Sequence, residues 1–448
     1  MPKTSASSSV RRPTAAAATI DRRTLLRRAS ATAATAALLS TIKAAFPGGV
    51  FAQGTGPEVK GTKLGYIALT DAAPLIIAKE KGFYAKHGVP DVEIVKQASW
   101  GSTRDNMALG TKANGIDGGH ILSPKVHLYS TGKVMQNNQP LPMYTLLRLN
   151  EDGQAISISN EFKELAINAD SSPLKAAFER KKASGKEVKV AMTFPGGTHD
   201  LWIRYWLAAG GIDPDKDVST IVVPPPQMVA NMKVGNMDAF CVGEPWNEQL
   251  VNQNIGYTAL TTGELWFKHP EKILGLRADW VDAHPKATRA ILMAVMEAQQ
   301  WCEKMENKQE MAAIIGRRQW FNVPVPDIIG RIKGDINYGL GRTVQGSGLR
   351  MKFWGEKGET SYPWKSLDAW FITENIRWGK FEPALDIKAL VEKTNRSDLW
   401  IEAAKGLGLK DHPTGESRGI EKFFDGKVFD PADPMAYLKS LAIKRAMV

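Results

Sequence analysis

The sequence predicts an α/β protein of two lobes, and three observations carry that expectation. A chain of 448 residues with 43% hydrophobic residues can fill two or three cores without disulfide staples. Near its start an apolar run at 64–69, a helix pattern at 75–81 ending at Gly82 and a second apolar run at 92–95 read as a β-α-β unit. Such a crossover implies a parallel sheet with helices on its faces. Further on, a short apolar run at 188–192, the loop Thr193-Phe194-Pro195-Gly196-Gly197 and apolar residues at helical spacing over 200–207 repeat the strand–loop–helix order.

The first fifty residues stand apart from this pattern. Asp21-Arg22-Arg23-Thr24-Leu25-Leu26 is a twin-arginine export motif, followed by an Ala-rich run and by Val50-Phe51-Ala52, which suits cleavage before Gln53. The run is too short and too rich in Thr and Ser to span a bilayer. Residues 1–52 hold eight Lys or Arg and one Asp, so the formal net charge of +11 falls to +4 once they are removed. That excludes a nucleic-acid partner on compositional grounds, and no aromatic-interleaved basic stretch revives one. No cysteine lies near the cleavage point, so a soluble product in the periplasm is expected, without a lipid anchor.

Along the mature chain, the loop Gln97-Ala98-Ser99-Trp100-Gly101 enters a helix, and Asn114-Gly115-Ile116-Asp117-Gly118 leads to another apolar run. Open α/β sheets place their ligand crevice at such turns. Residues 143–149 read as a strand, and residues from 152 turn into another extended run. A charged, helix-prone stretch at 162–186 then opens the second lobe. The expected organisation is 53–160 for the first part of lobe 1, 161–270 for lobe 2, and 271–448 for a return to lobe 1 with a helical C-terminal region. Residues 287–305 form an amphipathic helix pattern, and the tail with Trp354, Trp364, Trp370, Trp378 and Trp400 reads as helical and packed.

The chemistry favours binding over catalysis. Two cysteines, Cys241 and Cys302, make neither a disulfide framework nor a metal site, and the histidines are not spaced as ligand pairs, so no metal and no cofactor are expected. Adjacent His199-Asp200 do not face each other as a base and its orienter would, and no nucleophile motif occurs. Asp213, Asp215 and Asp217 lack the glycine and closing Glu of a calcium loop. No catalytic residue is assigned. The stretch from Thr193 to Trp202 is either an anion-binding turn, with Thr198 and helix-start N–H groups as donors, or an ordinary strand-to-helix turn with a threonine cap. Trp100, Gly101, Gln154, Thr198, His199 and Lys272 together offer more donors than acceptors, which suits a small anion.

Six motifs resemble the periplasmic nitrate-binding proteins of ABC transporters, a family with a close bicarbonate-binding relative. They are Leu69-Thr70-Asp71-Ala72-Ala73-Pro74-Leu75, the Trp100 and Gly115 loops quoted above, residues 193–206, Gly243-Glu244-Pro245-Trp246-Asn247 and His269-Pro270-Glu271-Lys272. The resemblance implies a two-lobed periplasmic-binding-protein fold, each lobe a Rossmann-like α/β sandwich, with the anion in the hinge cleft. It implies ligand contacts at Trp100, Gly101, Gln154, His199, Pro225, Val242 and Lys272, and a membrane permease as partner of a monomeric receptor for nitrate or nitrite. In the bicarbonate relative the position matching Lys272 is acidic and works with calcium, so Lys272 points to an acceptor-only anion in a cleft free of carboxylates, although Glu271 is adjacent. A bicarbonate-binding subunit with calcium and a nitrate sensor of the same fold are the alternatives. An enzyme related to the thiamine-pyrimidine synthases would need a cleft cysteine motif, which the chain lacks.

Overall fold

The computed structural model describes residues 56–447, and the export segment expected at 1–52 lies outside the described residues. Two five-stranded sheets organise the rest. The first uses β1 (Lys63–Tyr66), β2 (Glu93–Lys96), β3 (Gly118–Leu122) and β4 (Met143–Arg148), the second β5 (Gln154–Ser159), β6 (Lys189–Met192), β7 (Ser219–Val222), β8 (Ala239–Gly243) and β9 (Gly256–Thr261). A tenth strand, β10 (Lys272–Arg277), returns to the first sheet. The spatial orders are β2-β1-β3-β10-β4 and β7-β6-β8-β5-β9.

The sheets are mixed, not purely parallel. In the first, β1 pairs in parallel with β2 and β3, while β10 runs antiparallel to both β3 and β4. The second repeats the pattern: β6 pairs in parallel with β7 and β8, and β5 runs antiparallel to β8 and β9. The cause is connectivity. Each antiparallel strand arrives from the other sheet, β5 directly after β4 and β10 directly after β9, so it enters against the direction of the β-α-β strands beside it.

This crossing lies upstream of the boundary expected at residue 160, because β5 already pairs with β8 and β9. The bend is made at Asp152 and Gly153, both at positive φ (56° and 82°). Glycine suits that conformation, and a Cβ at 153 would also lie 2.6 Å from Met351 Cβ.

Local chemistry explains the helices. Pro74 sits in the first turn of the Ala73–Glu80 helix, and Ser99 caps the Trp100–Leu109 helix by accepting from Ser102 N. The Pro285–Glu303 helix buries Ile291, Leu292, Val295 and Met296 on one face, whereas Trp301 is only half-buried, under the Lys81 ammonium. The tail divides between the two cores. Trp400 packs edge-on against Tyr362, centroids 5.1 Å apart, in the first core; Trp370, on the Lys365–Arg377 helix, which is buried from Ser366 onward, stacks on Trp202 of the second at 5.1 Å and 19°. Such aromatic pairs add about 0.5–1.5 kcal/mol beyond the area they bury. No described helix is long and apolar enough to cross a membrane.

Candidate functional site

The two crossing strands place their first residues together. Gln154 opens β5 and Lys272 opens β10, so each lies one step past the point where the chain changes sheets. Between them stands Asp71, in the turn after β1. Its Oδ2 accepts from Gln154 Nε2 at 3.0 Å and from the Lys272 ammonium at 3.0 Å, while Oδ1 meets His120 Nε2 at 2.5 Å. All four side chains are fully buried. Thr70 N–H donates to Glu244 O at 2.7 Å, so backbone also bonds across the hinge.

The second lobe supplies the other wall. The loop after β6 turns through Gly196, at φ 70°, into the Thr198–Ala209 helix. The cap is Gly197, not a threonine, and the Thr198 hydroxyl donates instead to Glu271 Oε1. Glu271 also accepts from Lys272 Nζ at 2.6 Å and from Trp202 Nε1 at 2.6 Å. His199 Nε2 lies 2.9 Å from Gln154 Oε1, and its Nδ1 lies 2.6 Å from Thr193 Oγ1. Asp200 turns away, accepting from Gly196 N and pairing with Arg204.

These contacts fix the direction of the hydrogens. Gln154 donates through Nε2 to Asp71, so its Oε1 is an acceptor and His199 Nε2 must carry the proton. His199 Nδ1 then accepts from the Thr193 hydroxyl. The result is a one-way chain, Thr193 to His199 to Gln154 to Asp71, ending on a carboxylate. In it the Lys272 ammonium, 3.4 Å from His199 Nε2, meets a protonated nitrogen and gains nothing there.

The charges follow from burial and neighbours. Burial pushes the Asp71 carboxyl up, but Lys272 and His120 outweigh it and hold it below the usual carboxylate range. Burial wins at Glu271, which is raised despite Lys272, Thr198 and Trp202. At Lys272 burial is outweighed by Asp71 and Glu271, so the ammonium is kept. His199 is driven well below its ordinary value by burial and by Lys272, and is neutral.

The residues singled out in the sequence are thus only partly gathered. Gln154, Thr198, His199 and Lys272 meet in one polar cluster. Trp100 joins it through its ring, 5.3 Å from that of His120, with its Nε1 buried and without a hydrogen-bond partner. Gly101 follows it in the helix, where a Cβ would meet only Ser99 Oγ at 3.6 Å. Val242 faces Ala155 in the strand pair, next to Gly243, whose added Cβ would lie 2.4 Å from Gln154 Oε1. Pro225 is buried at the start of the turn after β7 and has no hydrogen bond to the cluster.

The expectation of a cleft free of carboxylates is corrected. Asp71 and Glu271 both contact the Lys272 ammonium, and the excess of donors disappears once they are counted. Glu271 precedes β10 in the bend after Pro270, so strand alternation does not separate it from Lys272. Asp71, His120 and Thr193 were also missed as site residues: Thr193 directly follows β6 and Asp71 lies in the turn after β1, while His120 stands in the middle of β3.

Known proteins share this architecture and sequence. The profile of the NMT1-like family matches residues 55–316. The chain is 60% identical over 391 residues to the nitrate/nitrite binding protein NrtA of Synechocystis sp., covering 87% of this chain and 86% of that one. It is 47% identical over 398 residues to the bicarbonate-binding protein CmpA of Synechococcus elongatus, covering 87% and 88%. The crystal structure of the periplasmic nitrate-binding protein NrtA from Synechocystis superposes with a TM-score of 0.84 at 59% identity, covering 87% of this chain and all of that one. With a profile match over more than half its length and relatives this similar over 87% of the chain, the chain belongs to the NMT1-like family.

Proposed function

We propose that this chain is the solute-binding subunit of an ABC transporter, capturing nitrate, and nitrite as a smaller acceptor-only anion, in the periplasm and handing it to a membrane permease. The observation that carries the reading is the convergence of Gln154, His199 and Lys272 where both strand crossings meet, in a chain 60% identical to a nitrate/nitrite binding protein. Lobes joined at such a point can close on a ligand and exclude water, which strengthens each polar contact inside. Trp100 offers a flat face to a trigonal anion, and Gly101, Pro225 and Val242 line its approach with backbone and apolar surface. Export through the twin-arginine route, a monomeric state and the absence of catalysis complete the proposal.

The bicarbonate reading draws on the two buried carboxylates, which could accept that anion's proton or hold a cation. Their engagement with Lys272 weighs against it, since each already shares its charge with the ammonium. A thermal-shift series with nitrate, nitrite, sulfate, and bicarbonate plus calcium tests the choice. A ligand that binds only the folded state at 100 times its Kd stabilises by about 2.7 kcal/mol. Nitrate and nitrite are expected to raise Tm, and a shift with bicarbonate plus calcium alone would reverse the assignment.

A further inference from the structure

The polar cluster is fully buried, so an anion can neither enter nor leave it while the two lobes stay as they are. Contacts between its two walls must break and re-form in every cycle of binding and release. The cluster supplies one such contact itself, from Gln154 Nε2 to Asp71 Oδ2 at 3.0 Å. A side chain outside the cluster bonds across the same seam: the Trp246 indole Nε1 donates to Ala68 O at 3.0 Å.

The two partners come from matching places in the two sheets. Ala68 lies in the turn after β1, and Trp246 follows β8, where it opens the Trp246–Asn252 helix. Beside that bond the Thr70 N–H donates to Glu244 O at 2.7 Å, so segments 68–70 and 244–246 are joined by two hydrogen bonds. Trp246 is 6% exposed and belongs to the same apolar cluster as Leu69, Ala72 and Ala73 of the facing turn. Its own side of the seam is held firm, because Arg331 pairs with Glu244 at 2.9 Å and with Glu248 at 2.7 Å. The other side leads to the ligand chemistry: Asp71 follows Thr70 directly and holds Gln154 and Lys272.

We infer that Trp246 is the latch of the closed lobes: its indole N–H, bonded to Ala68 O, sets the turn that carries Asp71 against the end of β8 and so positions Gln154 and Lys272 around the anion. The inference rests on the nitrate reading and adds to it a positioning residue that acts through Asp71 without touching the ligand. When the lobes part, water replaces both hydrogen bonds of the seam, so the Trp246 N–H contributes to the closed state alone. The latch prolongs the stay of the anion rather than choosing it, and nitrate and nitrite are affected alike.

Calorimetric and stopped-flow titration of nitrate into wild-type protein and Trp246→Phe test this, because phenylalanine keeps an aromatic ring at the seam and removes the N–H. The expected result is an affinity about tenfold weaker, carried by faster release, as for the loss of one buried hydrogen bond, with the urea midpoint of the ligand-free protein unchanged. Affinity within about twofold of wild type overturns the inference. A fall in affinity matched by an equal fall in ligand-free stability overturns it too, and marks Trp246 as a packing residue. If the wild type binds no nitrate, the functional reading fails and the latch with it. Should the variant not fold, hydrogen exchange of the wild type decides. Slower exchange of the Thr70 amide, which donates across the same seam, on adding nitrate supports the latch, and equal exchange with and without nitrate contradicts it.

Discussion

His199 donates through Nε2 to Gln154 Oε1 at 2.9 Å, joining a helix start of the second lobe to the first residue of the strand that crosses between lobes. Removing the imidazole leaves Gln154 Oε1 and the Thr193 hydroxyl buried without partners. His199→Ala is expected to lower stability by about 1–3 kcal/mol and to weaken nitrate binding by a similar amount. Urea unfolding and calorimetry on the same preparation check both; an unchanged midpoint would show that Gln154 finds another donor.

Lys272 holds two carboxylates in a dry site. Lys272→Met takes the ammonium from both, leaving Asp71 to His120 and Gln154 and Glu271 to Thr198 and Trp202, and should cost about 3–5 kcal/mol of stability; Lys272→Glu, which adds a third carboxylate, should cost at least as much. A fall in the urea midpoint is the expected readout, with nitrate binding lost in Lys272→Glu. Stability within about 1 kcal/mol of wild type would mean the carboxylates are neutral without the lysine.

Two glycines separate packing from ligand approach. At Gly243 a Cβ would lie 2.4 Å from Gln154 Oε1, so Gly243→Ala should displace that amide and cost about 1–3 kcal/mol. At Gly101 the nearest atom would be 3.6 Å away, so Gly101→Ala should leave Tm unchanged and weaken only ligand binding. Equal effects of the two variants on Tm would contradict this assignment.

Burial depresses His120, His199 and His269, the last to about 3. The unfolded chain takes up protons near pH 6.5 that the native state refuses, so unfolding becomes easier as pH falls through 6.5. For His269 the loss runs from about 6.5 down to about 3, at up to about 1.4 kcal/mol per pH unit. Burial also raises Glu151, Asp152, Glu244, Glu248 and Glu271, Glu244 to about 7, and these oppose the histidines in windows above their ordinary values, where the native state holds the extra proton. The histidine share is therefore read as a difference: between pH 7 and 5 the urea midpoint of His269→Asn should lose less, or gain more, than that of the wild type.

Much of the architecture was legible in the residues. The β-α-β run from Leu64 and the strand–loop–helix at Thr193 mark one sheet each, because period and turn chemistry are local signals. The mixed pairing was not, since nothing local in residues 154–159 or 272–277 says which sheet a strand joins. The site divided the same way. Lys272, His199 and Gln154 were found, and the family resemblance supplied much of that. Asp71 lay unremarked in a polar turn because a buried carboxylate is recognised only by the partners that three distant segments bring to it. Trp246 stood in a quoted motif, but its bond to Ala68 O had no signal, because that carbonyl belongs to a turn of the other sheet.

The most direct measurement is calorimetric titration of the purified protein lacking residues 1–52, with nitrate and, separately, with bicarbonate plus calcium. The account predicts saturable heat with nitrate at one site per chain and none with bicarbonate plus calcium. Binding of bicarbonate in the presence of calcium, with no heat from nitrate, would contradict it.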